Sequence, residues 1–151
     1  MNGAHLHLII CHVPIMGAAF TTLLIIFALG QKSKEVKRTS LWFAVLTGIS
    51  ALIVYLTGDG AEDIVKTIPG ITESLIEPHE HMAMFFMISL LLIGAAALAG
   101  LFLSRASTDV LHKFTVIVLI LNILVMFLAY ETGLSGGKIR HTESETTQMV
   151  K

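Results

Sequence analysis

Four uncharged stretches constrain the fold more than any other feature of this sequence. Residues 8–29, 41–57, 82–103 and 114–130 contain no Lys, Arg, Asp or Glu, and each stretch is 17 to 22 residues long. A helix of about 17–25 apolar residues crosses the hydrocarbon layer of a bilayer. Because unpaired backbone polar groups are not tolerated in lipid, each stretch is predicted to be a transmembrane helix. A soluble helical protein is the alternative, but no amphipathic helix remains to cover its core.

The predicted fold is therefore an all-α, integral membrane four-helix bundle that forms one domain over residues 1–151. Charged residues make up only 14% of the chain, against about a quarter in soluble domains. We expect helices at about 8–29, 40–57, 82–103 and 113–131, an outer loop at 58–80 and a polar tail at 132–151. The middle of the loop, AEDIVKTI, is expected to form a short helix, and three glycines are expected to make the start of the tail flexible.

Charged residues are divided unequally between the two sides of this bundle. The first and third connections carry six basic residues: Lys32, Lys34, Lys37, Arg38, Arg105 and Lys113. The loop 58–80 carries six acidic residues against one Lys66: Asp59, Glu62, Asp63, Glu73, Glu77 and Glu80. Because cytoplasmic loops are enriched in Lys and Arg, both termini and the acidic loop are predicted to be periplasmic, in a bacterial inner membrane. The formal net charge of −1 argues against a nucleic-acid partner.

Polar residues inside the predicted helices are few, namely Thr47, Ser50, Ser89, Thr115 and Asn122. Serine and threonine in such helices usually bond to their own backbone, whereas Asn122 is expected to bond to a neighbouring helix. Small residues at 17–19 and 94–100 are expected to let the helices pack closely. No ionisable group lies in the middle of a predicted helix, which argues against a transporter or channel.

Six of the seven histidines are predicted to lie at the outer face. They are His5, His7, His12, His79, His81 and His141, whereas His112 is expected near the inner face. Imidazole is a ligand for haem and metal ions and titrates near neutral pH. Since His79 and His81 are two residues apart, only one of them can face the bundle if this segment is helical. This distribution predicts a layer that binds a cofactor or a metal ion.

The leading hypothesis is a membrane electron-transfer subunit with a b-type haem near the periplasmic face, in a larger respiratory or photosynthetic complex. Bis-histidine ligation needs imidazoles from different helices at matching depth. We expect His12 and His81 to be the ligands, with His79 as a substitute for His81. Lys138 and Arg140 are expected to pair with the haem propionates.

The remaining expectations concern the surroundings of this haem and its partners. Glu62 or Glu80 is expected to hold the ring nitrogen of a ligating histidine. Other subunits of a membrane complex are the expected protein partners, with quinol or a periplasmic electron carrier as the redox partner. Because the inner face has His112 alone, the chain is not expected to carry electrons across the bilayer by itself.

Two alternatives remain open. The first is a non-haem site for zinc, copper or iron, because imidazoles and carboxylates suit zinc or iron, while Met82, Met84 and Met87 favour reduced copper. Its candidate ligands are His5, His12, His79, His81, Glu62 and Glu80. The second is a cofactor-free accessory subunit that packs inside a membrane complex.

Three short motifs carry a family resemblance. LHLIICHVPIMGAAF, LTGDGAED and EPHEHMAMF together resemble an uncharacterised family of bacterial four-helix integral membrane proteins. That family has an opening His-Phe-Pro-Ile, a Thr-Gly at the end of the second helix and a His-Glu-rich entry to the third. Here Val13 stands where phenylalanine is common. The resemblance implies a four-helix membrane fold and no particular activity.

Overall fold

The structure, a computed structural model, describes residues 2–105 and 107–140, except for the side chain of Arg140. Six helices and no strand occur in these ranges, so the all-α prediction is confirmed. The helices are α1 (Gly3–Ile10), α2 (His12–Gln31), α3 (Lys34–Tyr55), α4 (Gly58–Val65), α5 (Glu73–Leu103) and α6 (Thr108–Arg140).

The four long helices form a closed ring in which each packs against two neighbours, and α3 also contacts α6 across the bundle. Their order around the bundle is α2, α3, α5 and α6, and α6 returns to contact α2. The short helix α1 packs against α4. We call the end where α2 and α5 begin the histidine end, and the end where α3 and α6 begin the lysine end.

Four helical segments are long and apolar enough to cross a membrane, so the predicted membrane bundle is confirmed at this level. Large apolar side chains point outward: Leu23, Leu92, Leu124 and Phe127 are each more than 60% exposed. Several of the most buried residues are small or polar, including Ala18, Ala97, Thr21 and Ser40. This pattern suits a bundle surrounded by lipid, where helices associate through close packing and not through a water-driven apolar core.

Glycines allow the closest approaches between helices. A Cβ added to Gly48 in α3 would meet the backbone oxygen of Leu90 in α5 at 2.7 Å. A Cβ on Gly100 in α5 would meet the Cβ of Phe114 in α6 at 2.6 Å. The prediction that small residues serve helix packing is therefore confirmed for this part of the bundle.

The internal polar side chains behave as the sequence predicts. Thr47 and Thr115 donate to carbonyl oxygens four residues earlier, at 2.8 and 2.7 Å. Asn122 in α6 is 1% exposed and crosses to α2. Its amide nitrogen lies 2.7 Å from the Ala18 oxygen and 2.8 Å from Thr22 Oγ1.

Two helices extend further at the histidine end than the sequence predicts. Helix α5 begins at Glu73 and not at 82, so Pro78 lies inside it, and α6 continues to Arg140 and not to 131. Pro78 is the sixth residue of α5, where it removes the backbone hydrogen bond to the Ser74 carbonyl, yet the helix continues through it. The expected loop 58–80 is therefore mostly helical, and α4 overlaps the short helix expected there. The polar tail is helical as far as it is described, because its first nine residues continue α6 beside α5.

Candidate functional site

His7 belongs to α1, whose first turn is capped by the Asn2 side chain. Its Nδ1 lies 2.9 Å from Thr57 Oγ1, at the junction of α3 and α4. Thr57 Oγ1 donates its own proton to the Val54 carbonyl at 2.6 Å. The hydroxyl oxygen is therefore the acceptor for the ring, which assigns the proton of a neutral His7 to Nδ1. Its Nε2 retains a lone pair.

His79 projects from α5 towards the last turns of α6. Its Nδ1 lies 3.2 Å from both the Thr132 carbonyl oxygen and Ser135 Oγ. Because a carbonyl only accepts, the ring proton is again assigned to Nδ1, leaving the Nε2 lone pair. Gly136 is small enough to admit the ring: a Cβ there would lie 3.0 Å from His79 Cε1.

These two half-buried imidazoles lie at the same end of the bundle and come from different helices, His7 beside the junction of α3 and α4 and His79 beside α6. We call them the imidazole pair. In histidines that ligate metals, the N–H of the other ring nitrogen typically donates a hydrogen bond to a carbonyl or similar acceptor. This bond fixes the tautomer and the ring orientation. His7 and His79 both have this arrangement, so each has one fixed nitrogen and one nitrogen available to a ligand.

Thr132, which accepts from His79 through its carbonyl, carries an unusual hydroxyl. The residue is 8% exposed, and its Oγ1 is buried without a hydrogen-bond partner among the described residues. A buried hydroxyl without a partner is unfavourable by about 1–3 kcal/mol. This hydroxyl belongs to the residue whose carbonyl accepts from His79. An unsatisfied polar atom beside a member of the imidazole pair indicates that this region receives a ligand.

A second cluster of ionisable side chains joins α4 to α5. The carboxyl groups of Glu62 and Glu80 lie at hydrogen-bonding distance from each other. Lys66 Nζ contacts Glu62 at 2.6 Å and Glu73 at 3.7 Å. The hydrogen bond with Glu62 raises the pKa of Lys66. No hydrogen bond joins either Glu62 or Glu80 to a histidine ring in the ranges that the structure describes, so their expected role as histidine partners stays a prediction.

The other predicted site residues lie apart from this pair. His5, His12 and His81 are exposed. His12 Nδ1 is 3.2 Å from the Leu8 oxygen and 3.3 Å from Cys11 Sγ, and both partners lie within four residues of His12 in the sequence. The pairing of His12 with His81 therefore stays a prediction. Lys138 is exposed on α6, and the Arg140 side chain and His141 lie outside the described residues.

The expected non-haem metal site is not assembled. Within residues 2–105 and 107–140, no group of three or more His, Cys, Asp or Glu side chains is arranged to hold a metal ion. The six candidate ligands are split between exposed positions, the imidazole pair and the carboxyl cluster.

The sequence analysis does not predict that His7 belongs to the imidazole pair. It also does not predict the three residues that contact the two rings, Thr57, Thr132 and Ser135. The sequence does contain a signal for two of them. Thr132, Ser135 and Gly136 are three and four residues apart, which places them on one face if α6 is helical there.

Comparisons with protein-family models, curated proteins and solved structures give no match to this chain.

Proposed function

We propose that this chain is an electron-transfer subunit of a membrane complex and that His7 and His79 would hold a b-type haem. One observation carries the proposal. Both rings are half-buried with Nδ1 on an oxygen acceptor 50 or more residues away in the sequence, whereas the exposed His12 has its Nδ1 near the Leu8 carbonyl of its own segment. This pair replaces His12 and His81, which are exposed.

The donor set at the histidine end fits a haem better than a bare metal ion. The porphyrin supplies four of the six iron ligands, so two imidazoles from the protein are enough, whereas a protein site for zinc needs three or four side chains. The unpartnered Thr132 hydroxyl is a further polar group for the bound molecule. Lys138 is exposed on the adjoining helix and remains the candidate partner for a propionate.

The chain's own residues have two roles in this proposal. Thr57, the Thr132 carbonyl and Ser135 orient the imidazoles and keep their Nε2 lone pairs available. Glu62 and Glu80 provide a pair of carboxyl groups that can hold and release a proton at the same end of the bundle. A bound haem would accept and donate one electron at a time.

The orientation and partners follow the same proposal. The lysine end carries Lys32, Lys34 and Lys37, and we place it in the bacterial cytoplasm by the positive-inside rule. The haem would then lie at the periplasmic face and exchange electrons there with a quinol or a soluble carrier. Other subunits of the complex would supply any path across the bilayer.

The test is an absorption spectrum of the purified protein, before and after dithionite, together with metal analysis of the same preparation. We expect a Soret band that shifts on reduction and about one iron per chain. A double variant, His12→Ala with His81→Ala, serves as the control and should keep the band. Protein that is folded but has neither the band nor iron would contradict the haem proposal. Zinc or copper without the band would favour the non-haem alternative, and no metal at all would favour a cofactor-free accessory subunit.

A further inference from the structure

The lysine end contains a cavity that the proposed haem site does not use. It is a depression of about 410 Å³ that is open to its surroundings on one side. It lies between the turn that joins α2 to α3 and the first turns of α6. The lining residues are Lys32, Lys34, Lys37, Thr108, Asp109, Leu111 and His112.

The chain fold at this turn brings the lysines to the cavity. Lys32 ends α2 in the left-handed conformation, with φ of 54°. Ser33 then caps α3, since its hydroxyl accepts from the Val36 amide at 3.3 Å. The reversal occupies two residues, Lys32 and Ser33, so Lys32 lies within it, Lys34 begins α3 and Lys37 follows about one turn later.

Few negatively charged side chains lie near the lysines of this cavity. Across the described residues, no carboxylate lies at ion-pair distance from Lys32, Lys34 or Lys37. The one acidic lining residue, Asp109, already pairs with Lys113 at 2.9 Å. Lys37 Nζ lies 3.3 Å from His112 Nδ1, and this contact holds the ammonium group at the cavity.

Two further features favour an anion here. Helices α3 and α6 begin at this cavity and α2 ends there, so two partially positive N-termini outnumber one partially negative C-terminus. The cavity also lies where the uncharged stretches of the helices stop, which is the depth of lipid headgroups. Basic pockets between transmembrane helices bind the headgroups of anionic lipids.

We propose that this cavity binds a phosphate group through Lys32, Lys34 and Lys37. The phosphate belongs either to an anionic lipid headgroup or to a free phosphate ion, since both offer the same oxygens to lysine. Lys37, held by His112, is the central ligand. This proposal does not depend on a haem at the histidine end.

The experiment is native mass spectrometry of the full chain in detergent with added phosphatidylglycerol or phosphatidylcholine, and a separate thermal-shift titration with inorganic phosphate. We expect retention of phosphatidylglycerol over phosphatidylcholine, and a loss of about fivefold for Lys34→Gln or Lys37→Gln, corresponding to about 1 kcal/mol per basic residue. Arg105→Gln is the matched control, because Arg105 carries one charge at the same end, does not line the cavity and lies over the Phe102 ring.

Each outcome has a defined meaning. Preferential retention of phosphatidylglycerol supports a lipid as the source, whereas stabilisation by inorganic phosphate alone supports a soluble source. Equal retention of both lipids without any phosphate effect would overturn the proposal. An effect of Arg105→Gln as large as that of Lys37→Gln would also overturn it, because general surface charge would then explain the binding.

Discussion

At the scale of single residues, the histidines separate by what their rings contact. The sequence predicts that one of His79 and His81 faces the bundle, and the structure identifies His79. The sequence does not predict that His12 is exposed, nor that His7 contacts Thr57. Ring orientation is set by contacts between helices that are 50 or more residues apart in the chain, and no local pattern encodes those contacts.

Asn122 provides a residue-scale test of the packing. We expect Asn122→Ala to lower the free energy of unfolding by about 1 kcal/mol, in the range of interhelical hydrogen bonds in membranes, since two bonds to α2 are lost. Reversible unfolding in mixed micelles measures this change. Ser50→Ala is the control, because its hydroxyl bonds only to Thr47 O in its own helix. Equal effects of the two substitutions would show that the bridge to α2 contributes nothing.

At the scale of elements, the sequence predicts the apolar centres of the helices and underestimates their ends. Glycine disfavours a helix by about 1 kcal/mol relative to alanine, so Gly133, Gly136 and Gly137 indicate a flexible tail. The structure shows α6 continuing through all three. Most helical stability in proteins comes from packing, and here α6 packs against the start of α5 around His79. The sequence gives no sign of this partner, because the segment 73–81 looks like a loop.

The glycines of α6 provide an element-scale test of the site. Gly136→Ala places a Cβ about 3.0 Å from the His79 ring, whereas Gly133 has open space around it. Disturbing a residue that supports a ligand typically weakens binding by about 10–100-fold. We therefore expect Gly136→Ala to weaken haem binding by at least about tenfold, measured by titration of haem into the apoprotein. Gly133→Ala should bind as the wild type does and stabilise α6 slightly. Identical binding by both variants would show that His79 is not a ligand.

At the scale of the whole molecule, four uncharged stretches predict both the bundle and its contact with lipid. Antiparallel order follows from the short connections, and Lys37–His112 and His79–Ser135 contacts place the helix ends as that order requires. The direction of the bundle in the membrane depends on the charges alone. It is therefore predicted by the sequence and needs its own test.

Orientation is tested by cysteine labelling of intact cells. With Cys11→Ser as the background, Thr67→Cys probes the segment between α4 and α5, and Ser107→Cys probes the segment between α5 and α6. A membrane-impermeant maleimide should label Thr67→Cys in intact cells and Ser107→Cys only after lysis, because the basic segment is expected inside. The opposite pattern would place the histidine end in the cytoplasm.

The central claim is that the bundle selects His7 and His79, out of several histidines at one end, to hold a haem. The most direct measurement is the haem content of four single alanine variants, purified and reconstituted side by side. The haem proposal predicts that His7→Ala and His79→Ala lose the reducible Soret band of the wild type, while His12→Ala and His81→Ala keep it. Loss of the band in His12→Ala and His81→Ala, with His7→Ala and His79→Ala unaffected, would contradict it.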